Sequence, residues 1–299
     1  MRRALLAGAL ALVLLASWAT AADALLPIKG LSYGSAPSET VTVYEPLGTV
    51  AASGSSGSTS SAAAGDAPSV ILVHGGGWRQ QPNTTEQPTV AQNLRGHGFA
   101  VFDIDYPQAS ASQVAFPKEP EAIESAIAWV RQNAAKYGGD PENIELLGGS
   151  AGGNLVDLAA ERTPGIRSVV ELSGPTNLVS MVEMGKREEL KSSLTISLAI
   201  ALGCGREVYG WTKISNCDNF AFQEEWSPVD KVPASGCPHW LLLGAEEDLV
   251  PVSQQEEFLP KLQAAGCSAT LHVLPGKGHG FGYWPRVNEA YVYSFLAAN

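Results

Sequence analysis

One serine of this chain lies in a Gly-x-Ser-x-Gly pattern that directly follows an apolar run. The pattern is Gly148-Gly149-Ser150-Ala151-Gly152, and the run before it is Ile144-Glu145-Leu146-Leu147. A strand that turns sharply into a helix holds a serine hydroxyl clear of its own backbone, provided that the flanking residues lack bulk. Gly148, Gly152 and Gly153 supply that room. The pattern therefore predicts a strand, a tight turn and a helix, with Ser150 presented at the turn as a nucleophile.

A second glycine-rich loop follows an earlier apolar run. Val70-Ile71-Leu72-Val73 is typical of a buried strand, and it continues into His74-Gly75-Gly76-Gly77-Trp78. Loops of this kind supply backbone N–H groups that stabilise the negative oxygen of a tetrahedral intermediate. The N–H groups expected to form this oxyanion hole are those of Gly76, Gly77 and Ala151. Trp78 lies beside the loop and is expected to contact a substrate.

A histidine in the last thirty residues is expected to be the base that activates the serine. The apolar run Thr270–Leu274 is followed by a glycine-rich loop that contains His279 and Phe281. His239 and His272 lie in or beside apolar runs, where histidines usually pack. His97 lies in a turn, and His74 is expected to hold the first glycine loop by hydrogen bonds. His279 is therefore the expected base, and Phe281 is a second expected substrate contact.

The acid that orients this base should lie between the serine and the histidine, at the end of a strand. The apolar run Trp240–Leu243 leads into Gly244-Ala245-Glu246-Glu247-Asp248-Leu249-Val250-Pro251, which carries three adjacent carboxylates. Here the chain resembles α/β-hydrolase esterases and lipases of the hormone-sensitive-lipase and feruloyl-esterase type, whose turn commonly reads Gly-x-x-Asp-x-x-Val/Ile-Pro. When that pattern is aligned without a gap, its Gly falls on Gly244 and its Val/Ile-Pro on Val250-Pro251. Its Asp then falls on Glu247, which is therefore favoured as the acid. Asp248 is the alternative if the turn is shifted by one residue, and Glu246 is expected to be solvated.

The resemblance covers roughly Val41 to Leu296 and implies the α/β-hydrolase fold. This fold has a mostly parallel central sheet, helices on both faces and a cap or lid insertion, and the alternation of short strands and helices also favours a parallel sheet. Residues from about 175 to 235 are the expected lid or acyl-binding wall. The alternative is that their apolar side chains only pack the helices. Tyr106-Pro107 and Ala122 depart from an Asp-Tyr-Arg pattern and an aspartate common in related sequences, which leaves the subfamily open.

These residues and the resemblance together imply a serine hydrolase that cleaves carboxylic esters through an acyl-enzyme. His279 would take the proton of Ser150 and later give it to the leaving alcohol, and the chemistry needs no metal or organic cofactor. The expected partner is a small-molecule ester. Two alternatives remain: an amidase of the arylformamidase type, and a non-catalytic ligand-binding homologue with the same fold.

The first residues resemble a secretory signal. Met1-Arg2-Arg3 precedes an uncharged, Leu/Ala-rich run, and Ala19-Thr20-Ala21 is a small-residue cleavage site. We expect a signal peptide over residues 1–21, a single catalytic domain over 22–299 with a flexible Gly/Ser loop at 51–65, and a secreted or periplasmic protein. The alternative is an uncleaved anchor, although the run is shorter than the ~20 residues of a spanning helix. A net charge of −11 without a Lys/Arg cluster argues against nucleic-acid binding.

Four cysteines are an even number in a chain expected to reach an oxidising compartment. Cys237 and Cys267 each precede an apolar run by three residues, at Trp240 and Thr270. If those runs are neighbouring parallel strands, as the implied fold has them, both thiols lie at the same edge of the sheet. Cys204 then pairs with Cys217. The alternative is four reduced, buried cysteines.

Overall fold

The structure is a computed structural model that describes residues 26–47, 66–79, 87–110, 112–204, 217–233 and 235–299. The expected signal peptide at 1–21 and the Gly/Ser loop at 51–65 lie outside these residues. The strands are β1 (Ile28–Ser32), β2 (Thr40–Tyr44), β3 (Ala67–Val73), β4 (Ala100–Ile104), β5 (Gly139–Gly149), β6 (Ile166–Leu172), β7 (His239–Asp248) and β8 (Ala269–Gly278). The helices are α1 (Gln87–Gly96), α2 (Lys118–Asn133), α3 (Ala151–Arg162), α4 (Leu178–Lys186), α5 (Ser192–Ala201), α6 (Phe220–Glu225), α7 (Ser253–Ala264), α8 (Trp284–Val287) and α9 (Tyr293–Ala298).

The strands form one eight-stranded sheet in the order β1-β2-β4-β3-β5-β6-β7-β8. Strands β3 to β8 pair in parallel, whereas β2 is antiparallel to both of its neighbours. This arrangement confirms the expected mostly parallel sheet. All parallel strands end at one edge, so the loops that follow β3, β5, β6, β7 and β8 come together there.

Both faces of the sheet are buried, which explains the continuous apolar runs in the sequence. Along β3, Ile71 and Val73 contribute to one apolar cluster, and Val70 and Leu72 contribute to the other. The first cluster is closed by α2, α3 and α7 through residues such as Ile123, Leu155 and Phe258. The second is closed by α1 and the last helices through Leu94, Val287 and Leu296. Helices therefore cover both faces, as expected.

In its described part, the region between β6 and β7 contains the α-helices α4, α5 and α6. Most of the expected lid region is described, apart from residues 205–216 and 234. Leu194 and Leu198 of α5 are buried in the same cluster as the helices that cover the first face. The insertion is therefore packed against the body of the fold, next to the edge where the parallel strands end.

Two disulfide bonds join the four cysteines in the expected pairs, Cys204–Cys217 and Cys237–Cys267. The first closes a short segment after α5. The second joins the residues that precede β7 and β8, and these strands are parallel neighbours with Trp240 opposite Ala269. No helix in the described part of the chain is both long and apolar enough to cross a membrane.

We expect loss of the Cys237–Cys267 bond to destabilise the fold. The bond closes a loop with a sequence separation of 30 residues, for which loop-closure entropy corresponds to about 3–4 kcal/mol of stability. Urea unfolding of Cys237→Ser/Cys267→Ser measures this loss, and Cys204→Ser/Cys217→Ser, with a separation of 13, should lose less. Thiol titration of the native oxidised protein should find no free thiol, and four reactive thiols would contradict the pairing.

Several carboxyl groups lie in the core without a complete set of hydrogen bonds. Glu119, Asp157 and Glu171 are fully buried, and each has one oxygen without a partner. Asp157 Oδ1 accepts the indole N–H of Trp240 at 3.0 Å, and Glu119 Oε1 accepts the N–H of Ala109 at 3.0 Å. Burial raises the pKa of all three carboxyl groups well above its usual range.

These buried acids predict that the protein becomes less stable as the pH rises. The unfolded chain releases their protons at about pH 4, whereas the folded protein retains them, so the free energy of unfolding falls as the pH rises above that value. The variant Asp157→Asn keeps an oxygen that accepts the Trp240 indole N–H but has no carboxyl group that titrates. The free energy of unfolding of this variant, minus that of the native protein, should increase with pH by up to about 1.4 kcal/mol per pH unit.

Urea unfolding between pH 4.5 and 8 tests this prediction. The exposed Glu256 of α7 offers a matched control, since Glu256→Gln removes a carboxylate of the surface. A constant difference between Asp157→Asn and the native protein across the pH range would contradict the argument.

Candidate active site

Ser150 lies at the sharp turn between β5 and α3, as the sequence predicts. Its backbone has φ 58° and ψ −124°, a conformation that side-chain-bearing residues rarely adopt. The N–H of Ser150 donates to the carbonyl oxygen of Leu172 at the end of β6, at 2.8 Å. A Cβ atom at Gly148 would overlap the carbonyl oxygen of Gly152, so the close approach of strand and helix requires glycine there. These contacts hold Ser150 at the carboxyl edge of the sheet.

His279 follows β8 and lies beside Ser150. Its Nε2 is 2.9 Å from Ser150 Oγ, and its Nδ1 is 2.6 Å from Asp248 Oδ1. A tautomer with hydrogen on Nδ1 satisfies both contacts, because the carboxylate can only accept and the serine hydroxyl then donates to Nε2. The structure thus brings Ser150, His279 and Asp248 into one hydrogen-bonded chain.

The two candidate carboxylates point in different directions, and the geometry corrects the preference for Glu247. The Glu247 side chain is 63% exposed and lies 3.7 Å from Lys277 Nζ, whereas the Asp248 side chain is 0% exposed and contacts His279. The pairing of β7 with β8 is irregular between Ala245 and Glu247. Ala245 lies opposite Leu274 and Glu247 opposite Lys277, so the extra residue at this point belongs to β8. The carboxylate that faces inward is that of Asp248. Glu246 is exposed, as expected, and accepts the N–H of Gly276 at 2.9 Å.

Two residues that the sequence analysis did not select complete the surroundings of Asp248. Asp248 Oδ2 accepts the hydroxyl of Ser173 at 2.6 Å, and the Tyr283 hydroxyl lies 2.7 Å from Ser173 Oγ. The N–H groups of Ala245 and Val250 lie 3.3 Å from Asp248 oxygens. Ser173 directly follows the apolar run that becomes β6, and this position at the end of a parallel strand was the available signal.

The first glycine loop lies against Ser150. A Cβ atom at Gly75 would lie 2.7 Å from the carbonyl oxygen of Gly149 and 3.0 Å from Ser150 Cβ, so only glycine permits this approach. Gly76 and Gly77 both have positive φ, 122° and 67°. The loop is thereby folded beside Ser150, with Ala151 in the first turn of α3, where helix N–H groups have no partner within the helix.

His74 holds this loop in place through both ring nitrogens. Nδ1 donates to the carbonyl oxygen of Gly75 at 2.6 Å, and Nε2 lies 3.2 Å from Gln108 Nε2 and 3.3 Å from Asp105 Oδ1. The ring stacks on Tyr106 at a centroid distance of 4.2 Å, and the Tyr106 hydroxyl donates to the carbonyl oxygen of His74 at 2.7 Å. These contacts of His74 and Tyr106 therefore hold the loop in place.

The two aromatic residues expected to contact a substrate lie in different places. Trp78 is only 1% exposed, its indole N–H donates to Asn154 Oδ1 at 3.1 Å, and its ring packs near Phe116. The expectation that Trp78 lines an open pocket is therefore wrong for this structure, because its side chain belongs to the core. Phe281 is also buried, at 8% exposed in the second apolar cluster, but it packs beside the turn at Ser150, where a Cβ atom at Gly149 would be 3.2 Å from its ring.

Helix α5 contacts the glycine loop directly. A Cβ atom at Gly77 would lie 2.7 Å from Ser197 Oγ, and Arg79 Nε donates to the same oxygen at 2.9 Å. The insertion therefore reaches the proposed oxyanion loop through Ser197.

The remaining histidines lie away from this site. His272 stacks on Tyr291 and His97 on Tyr293, whereas His239 is exposed at the start of β7 instead of packed as expected. Within the described ranges, no group of three or more His, Cys, Asp or Glu residues is arranged to bind a metal ion.

Comparison with known proteins relates the chain to esterases. The family model BD-FAE matches residues 59–262. Esterase LipC of Mycobacterium tuberculosis is 28% identical over 218 residues, which are 72% of this chain and 53% of LipC. The chain spans about half the length of the curated relatives it matches.

Solved structures with the same fold cover most of the chain. Esterase B from Lactobacillus Rhamnosis has a TM-score of 0.67 at 17% identity, covering 91% of this chain and 86% of that chain. A truncated carbohydrate esterase from gut microbiota has a TM-score of 0.66 at 20% identity, covering 92% and 97%. The chain therefore has the α/β-hydrolase fold, and the match over residues 59–262 shows that it belongs to the BD-FAE family.

Proposed function

We propose that this protein hydrolyses carboxylic esters through an acyl-enzyme on Ser150, with His279 as base and Asp248 as the acid. This proposal rests mainly on two hydrogen-bond distances: 2.9 Å from Ser150 Oγ to His279 Nε2, and 2.6 Å from His279 Nδ1 to Asp248 Oδ1. Family membership and relatives named as esterases support the same reaction. Esters of small molecules are the proposed substrates.

In the proposed first step, Ser150 Oγ attacks the ester carbonyl carbon, and its proton moves to His279 Nε2. The buried carboxylate of Asp248 stabilises the imidazolium and keeps its Nδ1 hydrogen in place. The proton then passes to the leaving alcohol, and the acyl group remains on Ser150. Water repeats these steps on the acyl-enzyme, which releases the acid and restores the serine.

The charge that develops on the carbonyl oxygen would be stabilised by the N–H groups of Gly76, Gly77 and Ala151. The approach of Gly75 to Ser150 supports this role, since it brings the loop to the nucleophile. A single donor of this kind typically contributes about 3 kcal/mol to the lowering of the barrier. The hydrogen bonds of His74 and Tyr106 fix the loop before the reaction, so its donors need not reorganise.

The substrate side of the site would be formed by Phe281 and the insertion that contains α5. Phe281 lies next to the nucleophile turn, and Ser197 contacts the glycine loop. Because the insertion is held by the contact at Ser197 and by the Cys204–Cys217 bond, we infer a fixed acyl-binding surface and not a mobile lid.

A panel of nitrophenyl esters of increasing acyl length, run beside feruloyl esters and aryl formamides, identifies the substrate class. Preferential turnover of the formamides would assign the chain to amide hydrolysis.

Export from the cytoplasm is part of this proposal. The two disulfide bonds support it, because such bonds persist in oxidising compartments. The leader expected at residues 1–21 would direct that export, and mass spectrometry of the protein from its native host would locate the cleavage.

A fluorophosphonate probe should label Ser150 of the folded protein. Ser150→Ala should abolish labelling, and His279→Ala should slow it, because the hydroxyl is a weak nucleophile without its base. The kcat for nitrophenyl butyrate should fall by about 10⁴-fold or more in both variants. Labelling that persists in Ser150→Ala, or that is unchanged in His279→Ala, would contradict the mechanism.

The adjacent carboxylates offer a matched pair of variants. Asp248→Asn should reduce kcat by about 10⁴-fold, because the amide favours the wrong histidine tautomer and cannot stabilise the imidazolium. Glu247→Gln should change kcat by less than about threefold, since its interaction with Lys277 is an exposed ion pair. Steady-state kinetics of both variants measure the difference, and the reverse order of losses would assign the acid to Glu247.

A further inference from the structure

Ser173 has a strained backbone and a buried hydroxyl at the end of β6. Its φ is 57°, and the residue is fully buried. The N–H of Ser173 donates to the carbonyl oxygen of Leu243 at 2.8 Å, which extends the pairing between β6 and β7. Residues other than glycine adopt such a φ at a cost, so the surrounding contacts must hold it.

The hydroxyl of Ser173 contacts three groups from two different loops. It donates its single hydrogen to Asp248 Oδ2 at 2.6 Å, because a carboxylate can only accept. Its oxygen accepts the N–H of Gly280 at 3.1 Å and lies 2.7 Å from the Tyr283 hydroxyl. The same tyrosine oxygen lies 2.8 Å from the carbonyl oxygen of Leu243, so two acceptors are within reach of its hydrogen.

Ser173 is the closer of the two hydrogen-bond donors to Asp248 Oδ2. The remaining contact to Oδ2 is the N–H of Ala245 at 3.3 Å, and Oδ1 is shared between His279 and the N–H of Val250. The Asp248 side chain is 0% exposed, so water cannot replace a lost donor without rearrangement of the site. A buried carboxylate that loses such a hydrogen bond is destabilised and free to rotate.

We propose that Ser173, supported by Tyr283, is a positioning residue that holds Asp248 against His279. The inference rests on the proposed function, in which Asp248 orients and stabilises the base. Burial raises the pKa of Tyr283 well above its usual range, which keeps the phenol protonated as a donor. Since Gly280 directly follows His279, the Ser173 oxygen also fixes the loop of the base. One hydroxyl thereby sets the positions of both the acid and the base.

The proposed role predicts a loss of kcat with little change in KM, because the contacts made by Ser173 are to the acid and to the loop of the base. Ser173→Ala and Ser173→Gly should each lower kcat for nitrophenyl butyrate by about 10- to 100-fold, the usual effect of a lost hydrogen bond to a charged group. Tyr283→Phe should lower kcat by about three- to tenfold, since the Tyr283 hydroxyl reaches Asp248 only through Ser173.

Comparison of the alanine and glycine variants separates the hydroxyl from the backbone. Glycine adopts φ 57° readily, whereas alanine keeps the strain. Equal losses of kcat in the two variants support the role of the hydroxyl, and near-native kcat in Ser173→Gly would overturn it. Ser69→Ala is a control, because it also removes a buried hydroxyl, which donates to the carbonyl oxygen of Asp140. Ser69 lies near the start of β3, whereas the glycine loop beside Ser150 follows the end of that strand. Ser69→Ala should lower stability and leave kcat unchanged.

A double-mutant cycle tests whether Ser173 acts through Asp248. In an Asp248→Asn background, Ser173→Ala should lower kcat by clearly less than in the native background, because the charge of Asp248 is already gone and only the contact to Gly280 is still lost. A loss as large as in the native background would overturn the proposed route. An inactive native protein would refute the proposed function itself, whereas an active native protein with unimpaired Ser173→Ala would refute only this inference.

Discussion

The rest of the site depends on the burial of one negative charge. Asp248 has no exposed side-chain surface, so every stabilising interaction must come from protein groups. These groups come from the ends of three neighbouring strands: Ser173 follows β6, Ala245 and Val250 flank Asp248 at the end of β7, and His279 follows β8. Parallel pairing brings these ends to one edge, and the N–H of Ser150 is tied to the same place through Leu172. The geometry of the proposed nucleophile is therefore inseparable from the pairing of the central strands.

Much of this arrangement could be predicted from the sequence, because runs of apolar residues and glycines have direct structural consequences. The run before Ser150 lies in β5, and the glycine-rich run after Val73 forms the loop beside Ser150. The pairing of cysteines followed once Trp240 and Thr270 were placed on neighbouring parallel strands. Strand β1 was missed, since its residues are mostly exposed or half-buried and lack an apolar pattern.

The errors arose where a single residue changes which side chain points inward. The sequence spacing from Gly244 favoured Glu247, but the buried side chain that contacts His279 is that of Asp248, one residue later. The position of Trp78 beside the glycine loop similarly suggested a substrate contact, whereas its side chain is buried in the core and donates to Asn154. Ser173 carried no motif at all. Its importance depends on distances to Asp248 and Gly280, which are set by tertiary packing and are not encoded in local spacing.

The disulfide between Cys237 and Cys267 has a consequence for how the site can open. Strand β8, which directly precedes His279, is the last strand of the described sheet and is paired only with β7. Edge strands separate from a sheet more readily than central ones. The bond fastens β8 to β7 at the end farthest from His279, so peeling of the edge strand cannot start there. Separation of Asp248 from His279 must instead begin at the other end of the two strands, where Ser173 contacts both Asp248 and Gly280.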